Sequence, residues 1–125
     1  MASEIAQRFI EALEESEETH DPTAVADLFS DDADIVRMTG QEHLSGRDAG
    51  LRFWTEYLSA FRDIHSDIYN VIEQGNKIVL EWSSEAETTK GKPLAYCGVS
   101  ILEVDAGRIK RFRTYYDSAK FLQAH

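Results

Sequence analysis

The segment "DIVRMTG", residues 34–40, places an arginine in a short stretch that is otherwise typical of a β-strand. Ile35 and Val36 favour extended backbone, and Gly40 favours a turn. Arg37 must therefore reach water, pair with an acid, or hold a ligand, because a guanidinium is rarely buried without a partner. As a ligand-binding group it would offer a planar fork of donors to an anion or a carbonyl oxygen. A structural ion pair is the alternative.

Hydroxyl groups on otherwise apolar segments are the next candidates for ligand contact. Ser84 and Thr114 stand on strand faces that are mostly apolar, although a local hydrogen bond to backbone or water also explains each of them. Tyr57 and Tyr116 carry hydroxyls that need partners if they are buried. The tryptophans and phenylalanines near them could line a pocket, or could simply form the core.

Histidine and cysteine spacing argues against a metal site. The four histidines show no His-x-x-x-His pattern, and Cys97 is the only cysteine. We expect Cys97 to be a buried, inert thiol, and His65 to face outward. Because one cysteine cannot form an intrachain disulfide, a reducing, cytoplasmic setting is expected. No glycine-rich phosphate loop is present, so the sequence predicts no nucleotide or other cofactor.

The net charge of −10 is distributed unevenly. Residues 1–34 hold eleven acidic side chains and one basic one, whereas residues 35–125 hold twelve of each. An acidic N-terminal part repels phosphate backbones, so nucleic acid is not an expected partner. The run "EALEESEE", residues 11–18, is interpreted as a solvated helix face. No apolar run reaches membrane-spanning length, and "MASEIAQRF" lacks the pattern of a secretory signal.

Three helices and four long strands are predicted to position these residues. Residues 3–18 form an amphipathic helix capped by Ser3, with Ile5, Phe9 and Leu13 recurring every four residues. "DPTAVADLF" predicts a short second helix, and "SGRDAGLRFWTEYLSAF" a third with a capping box from Ser45 to Asp48. Asp117 is expected to cap a short final helix. Strands are predicted over residues 63–73, 77–88, 94–104 and 108–116.

The alternation in "KIVLEWSSEAET" indicates one covered face and one wet face. The covered face carries Ile78, Leu80, Trp82, Ser84 and Ala86. Three helices followed by such a meander must bury their apolar stripes against this face, which predicts an α+β fold. The second face has apolar candidates for pairing with another copy, namely Val79, Val99 and Ile101.

The stretches "LFSDDADIV", "GRDAGLRFW" and "GRIKRFRTYYD", in this order and spacing, resemble the nuclear transport factor 2-like superfamily. The branch they resemble contains SnoaL-like proteins and ketosteroid isomerases. The resemblance covers nearly the whole chain and implies one domain over residues 1–125. It also implies a cone-shaped, curved, mostly antiparallel β-sheet wrapped around N-terminal helices, an apolar chamber open at one end, and a homodimer.

The family's known catalytic groups do not fall on matching residues. The tyrosine of the ketosteroid isomerases falls on Phe9, their aspartate base on Arg37, and their protonated aspartate near Val99. The arginine–aspartate pair of limonene epoxide hydrolases falls on Trp82 and Ser84. Their last aspartate falls on Thr114, and their asparagine again on position 37. Neither mechanism is therefore expected.

The resemblance still implies a chamber for a small, apolar organic molecule, anionic or carbonyl-bearing, with isomerase-, cyclase- or hydrolase-like activity. A non-catalytic ligand-binding or dimerisation module is the alternative. His43 is predicted at the pocket mouth, as an acid or base, or else as an exposed loop residue. The predicted pocket residues are Arg37, Trp54, Tyr57, Trp82, Ser84, Phe112, Thr114 and Tyr116.

Overall fold

The structure is a computed structural model that describes residues 3–37, 42–117 and 119–120. It contains three helices, α1 (Glu4–Thr19), α2 (Thr23–Ala26) and α3 (Ala49–Ser59). Its six strands are β1 (Phe29–Arg37), β2 (Glu42–Leu44), β3 (Phe61–Gln74), β4 (Lys77–Thr88), β5 (Pro93–Asp105) and β6 (Arg108–Tyr116).

All six strands join one sheet in the order β2-β1-β6-β5-β4-β3. Neighbouring strands are antiparallel except β1 and β6, which run parallel. The sheet is curved and does not close, and the helices pack on its inner face. The predicted α+β class and the four long strands are confirmed. Within the described part of the chain, no helix combines the length and apolar character needed to cross a membrane.

Helix α1 begins where the sequence predicts. The Ser3 hydroxyl accepts a hydrogen bond from the Ala6 backbone N–H at 3.3 Å. In its apolar stripe Phe9 is only 2% exposed, and Ile5 and Leu13 are half-buried. The helix ends at His20, whose backbone is left-handed at φ 63° and whose ring Nε2 lies 2.8 Å from the carbonyl oxygen of Phe61. This contact ties the end of α1 to the start of β3.

The predicted solvated face of α1 is wrong at its C-terminal end. Ser16 is fully buried and Glu17 is 4% exposed, although the neighbouring Glu15 and Glu18 are exposed. The Ser16 hydroxyl accepts a hydrogen bond from the Val25 backbone N–H at 3.1 Å. Glu17 continues the four-residue spacing of Phe9 and Leu13, so the helix turns its carboxylate toward the sheet.

The predicted capping box of α3 is also wrong. Asp48 has a left-handed backbone with φ 59° and makes no side-chain cap hydrogen bond. The Ala49 N–H instead donates to the carbonyl oxygen of Gly46 at 3.2 Å. The helix begins at Ala49, so Ser45, the predicted capping residue, lies too far from the first helical N–H groups to cap them.

The two sheet faces separate apolar from polar side chains. Ile78, Leu80, Trp82 and Ser84 on the inner face of β4 are buried, as predicted, and Ala86 is half-buried. His65 is exposed on the outer face, which confirms its predicted orientation.

The prediction of a buried Cys97 is wrong, because it is exposed on the outer face opposite Ser83. Asp117 accepts a hydrogen bond from the Ala119 N–H at 3.0 Å, as a cap would. The rest of the predicted final helix and the turn at Gly40 lie outside the described residues.

Candidate functional site

A cavity of about 30 Å³ lies between the helices and the inner face of β3 to β6. We call it the chamber. Its walls come from α1, α3 and the four long strands, and most of them are apolar or aromatic. This volume holds roughly two water molecules. A larger ligand therefore enters only if wall side chains move.

Seven of the eight predicted pocket residues line the chamber. They are Trp54, Tyr57, Trp82, Ser84, Phe112, Thr114 and Tyr116. Arg37 is not among the lining residues. It is half-buried, and its guanidinium carbon lies 5.0 Å from the ring centre of Phe53 and 5.9 Å from that of Tyr57. His43 is exposed and pairs with the carboxylate of Asp34.

A row of polar side chains crosses the inner face where β3, β4 and β5 run side by side. Strand pairing places Ser66 opposite Ser84, and Ser84 opposite Tyr96. The hydroxyl oxygens of Ser66 and Ser84 are 2.6 Å apart, and the Ser84 hydroxyl also hydrogen-bonds Tyr96. The row therefore forms one continuous hydrogen-bonded line on an otherwise apolar wall.

The two helices supply the ends of this row. On α1, Glu17 accepts hydrogen bonds from the Ser66 backbone N–H at 2.8 Å and from the Ser66 hydroxyl at 2.6 Å. On α3, the hydroxyl of Tyr57 hydrogen-bonds the hydroxyl of Tyr96. Five side chains from five elements thus join a carboxylate to a phenol across the chamber wall.

Burial dominates the electrostatics of this row. It raises the pKa of Glu17 above its usual range, against the opposing effect of the two Ser66 hydrogen bonds. Within the described residues, no lysine, arginine or histidine forms an ion pair with this carboxylate. Burial and the neighbouring Tyr96 raise the pKa of Tyr57 well above its usual range, so its hydroxyl stays protonated.

A second polar group on the wall has local partners. The Trp82 indole N–H donates to the Ser100 hydroxyl at 3.0 Å, and that hydroxyl lies 3.0 Å from the Thr114 hydroxyl. The partner of Thr114 is therefore a side-chain hydroxyl on the neighbouring strand, and not the backbone group or water considered from the sequence. These contacts fix the Trp82 ring.

Trp54 differs from Trp82 in its polar contacts. Its ring lines the chamber and is 4% exposed, and its indole N–H has no hydrogen-bond partner among the described residues. An unsatisfied buried donor costs about 1–3 kcal/mol, so a hydrogen-bond acceptor that reached this N–H would remove that cost.

Sequence reasoning missed Glu17, Ser66, Tyr96 and Ser100. Helical spacing from Phe9 and Leu13 was a usable signal for Glu17. Ser66 sits two residues from the inward Ile64 and Ile68, and this alternation also pointed inward. Among the described residues, no group of three or more histidine, cysteine, aspartate or glutamate side chains is arranged to hold a metal ion.

The family model for the SnoaL-like domain matches residues 6–112. The chain belongs to the SnoaL-like family, within the nuclear transport factor 2-like superfamily, as its sequence resemblance predicted. A search of curated proteins finds no match.

Solved structures with the same fold come from several bacteria. A protein from Catenulispora acidiphila with a ketosteroid isomerase-like fold, in complex with trimethylamine, is 18% identical, with a TM-score of 0.82 over 99% of this chain and 93% of its own. A nuclear transport factor 2-like protein of unknown function from Burkholderia pseudomallei is 17% identical, with a TM-score of 0.83 over 98% of both chains. A limonene-epoxide-hydrolase-like epoxide hydrolase from Mycobacterium tuberculosis is 20% identical, with a TM-score of 0.72 over 96% of this chain and 88% of its own.

The SnoaL-like chamber of this chain has its own polar groups. Val99, near which the isomerases' protonated aspartate was expected to fall, points to the outer face opposite Glu81, and its inward neighbours are Gly98 and Ser100. The acid in this chamber is Glu17, which comes from the first helix.

Proposed function

We propose that the chamber binds a small, largely apolar organic molecule bearing a carbonyl oxygen, and that Glu17 transfers a proton on it. The observation that carries this proposal is a buried carboxyl with a raised pKa in the wall of an aromatic cavity. Such a carboxyl can act as a general base and then as a general acid.

The proposed step is proton transfer next to a carbonyl group. The Glu17 carboxylate removes a proton from the carbon beside the carbonyl. The electron pair of the broken C–H bond forms a C=C bond, and the π electron pair of the C=O bond moves onto the oxygen. The unpartnered Trp54 indole N–H donates a hydrogen bond to that oxygen. Glu17 then returns the proton to the same or another carbon, which completes exchange or isomerisation.

A carbonyl compound fits this chamber better than an anion. An ionised Glu17 repels a carboxylate or phenolate, and Arg37 lies over the rings of Phe53 and Tyr57 rather than among the lining residues. We therefore prefer a neutral ligand with one oxygen acceptor and an apolar body that packs against Phe9, Leu80 and Phe112.

A non-catalytic module is the second candidate, and a specific observation favours it. The chamber has only about 30 Å³ of free volume, because aromatic rings occupy most of its interior. A filled interior supports a role in folding or dimerisation without a ligand.

Deuterium exchange tests the proposal directly. Cyclopentanone in D₂O is followed by proton NMR with the wild-type chain, Glu17→Gln and Glu14→Gln, an exposed glutamate on the same helix. We expect exchange beside the carbonyl with wild type and Glu14→Gln, and a loss of at least about a hundredfold with Glu17→Gln, as for a general base. Equal exchange by Glu17→Gln, or no exchange by wild type, would reject the catalytic role.

We further propose that residues 1–125 form one domain that assembles as a homodimer without nucleic acid or membrane partners. All described strands share one sheet, and the chain carries a net charge of −10. The cytoplasm is the proposed location, because the exposed thiol of Cys97 stays reduced there.

A further inference from the structure

The hydrogen-bonded row on the chamber wall can point in two directions. Its members, in order, are Glu17, Ser66, Ser84, Tyr96 and Tyr57. Each of the four hydroxyls can donate one hydrogen bond and accept others. The inner three can rotate between two neighbours, and Tyr57 can rotate toward or away from Tyr96. Only the first member, the carboxyl, changes between pure acceptor and donor.

With Glu17 ionised, the direction of the row is fixed. The carboxylate can only accept, so Ser66 donates to it, Ser84 donates to Ser66, Tyr96 donates to Ser84, and Tyr57 donates to Tyr96. The hydroxyl proton of Tyr57 is then used within the row. Tyr57 presents only its oxygen lone pair to the chamber.

With Glu17 protonated, the opposite direction becomes available. The carboxylic acid donates to Ser66, and each following hydroxyl donates to the next. The last hydroxyl, that of Tyr57, then points its proton into the chamber that it lines. No covalent bond changes beyond the protonation of Glu17, because the hydroxyls only rotate.

We propose that Tyr57 is a specificity-determining residue whose hydrogen-bonding polarity is set by the protonation of Glu17 through Ser66, Ser84 and Tyr96. This inference rests on the proposed function for its ligand. When Glu17 takes a proton from the carbon beside the carbonyl, the row reverses. Tyr57 then donates to the oxygen on which negative charge has just developed. The donor is thus supplied in the transition state and withheld from the bound substrate, which favours catalysis.

Other charged or titratable groups also act on the two ends of the row. Glu14 on α1 and His65 on β3 influence Glu17, whereas Tyr116 on β6 influences both Tyr57 and Tyr96. The guanidinium carbon of Arg37 lies 5.9 Å from the centre of the Tyr57 ring. A test must therefore distinguish coupling through the hydrogen bonds of the row from direct electrostatic effects of these neighbouring groups.

Tyrosine NMR provides a test that needs no ligand. The chain is labelled with ¹³C at Cζ of its five tyrosines, and the Tyr57 signal is assigned with Tyr57→Phe. Wild type is titrated alongside Glu17→Gln, Ser84→Ala and Ser100→Ala, in which the lost hydroxyl lines the chamber outside the row. His65→Gln removes the imidazole that acts on Glu17.

We expect the ¹³C chemical shift of Tyr57 to change in one step at the pH where Glu17 titrates, in wild type, Ser100→Ala and His65→Gln. It should lose that step in Glu17→Gln. In Ser84→Ala it should keep only a smaller step, from the charge of Glu17 acting on Tyr57 through space. A step of the same size in Ser84→Ala would mean that Glu17 acts on Tyr57 only through space, and it would overturn the proposal. A wild-type Tyr57 signal that ignores the Glu17 midpoint would do the same.

A ligand pair separates this inference from the proposed function. Cyclopentanone only accepts hydrogen bonds, whereas cyclopentanol also donates one from a similar skeleton. Wild type should change its relative affinity for the two by roughly twofold to tenfold across the Glu17 midpoint, the size of one neutral hydrogen bond. Ser84→Ala should show no such change. If neither compound binds, the proposed function fails, and the NMR titration still decides whether the row couples Glu17 to Tyr57.

Discussion

At the scale of single residues, two ionisable side chains lie in different environments, Glu17 in the chamber wall and Arg37 outside it. Glu17 is buried against serine hydroxyls, and no cation pairs with it among the described residues. Arg37 is half-buried over aromatic rings. Glu17 makes the stability of the folded state depend on pH, whereas Arg37 contributes packing and cation–π attraction.

The pKa of Glu17 predicts how stability changes with pH. Because folding raises this pKa above its ordinary value of 4.5, the stability linked to Glu17 is fully present below that value and is lost as pH rises through the folded pKa. Glu17→Gln should therefore flatten the pH dependence of the free energy of unfolding. It should gain stability relative to wild type as pH rises, and urea unfolding between pH 4 and 8 measures this. Glu18→Gln, which changes an exposed glutamate on the same helix, should keep the wild-type slope, and a pH-independent effect of Glu17→Gln would contradict the assignment.

Substitution of Arg37 tests its role over the two rings. Arg37→Met keeps much of the apolar stem and removes the charge, so the free energy of unfolding should fall by about 0.5–2 kcal/mol, the range of a cation–π contact. Arg37→Lys should recover part of this loss. Thermal melting measures both. A loss of roughly 3–5 kcal/mol would instead reveal a broken buried ion pair, the alternative that the sequence left open.

At the scale of elements, strand register brings the candidate site together. The alternation in β4 was enough to predict that Trp82 and Ser84 face inward. The pairing of Ser84 with Ser66 and Tyr96 was not predictable, because registers depend on the curvature and bulges of the whole sheet. Glu17 has the helical spacing of an inward residue. Because glutamate is rarely buried, its residue type nevertheless led to the prediction that it is exposed. The resemblance placed Arg37 in the chamber, but it did not account for its stacking on α3.

Gly98 shows how closely β5 approaches the Trp82 ring. A Cβ atom at this position would lie 2.3 Å from the Tyr115 carbonyl oxygen and 2.6 Å from the Trp82 ring. Gly98→Ala should therefore force strand or ring movement and destabilise the chain by about 1–3 kcal/mol. Urea unfolding checks this. Cys97→Ala, the exposed neighbour on the same strand, should stay within about 0.5 kcal/mol of wild type, and an equally small effect at Gly98 would show that the contact is not constraining.

At the scale of the whole molecule, the sheet has a second apolar surface. Strand pairing aligns Ile72, Val79 and Ile101 in one row of the outer face and Val99 beside Tyr115 in the next. Ile72 is 52% exposed and Tyr115 is 39% exposed, while the other three are half-buried. We call these five residues the outer patch. A contiguous apolar patch on a strand face is suited to association with another protein surface.

The predicted homodimer should form through the outer patch. A stable interface needs about 800 Å² from each partner, which the patch and its surroundings on the long strands can supply. Ile101→Asp would place two unpaired carboxylates near the centre of a symmetric interface. It should therefore weaken the dimer by at least about a hundredfold, since each 1.4 kcal/mol is tenfold and a stranded charge costs several kcal/mol.

Sedimentation equilibrium should give a dimer for wild type and a folded monomer for Ile101→Asp. Glu85→Lys, exposed on the same face but outside the patch, should remain dimeric. A wild-type chain that stays monomeric over a wide concentration range would reject the dimer, and a dimeric Ile101→Asp would move the interface away from the outer patch.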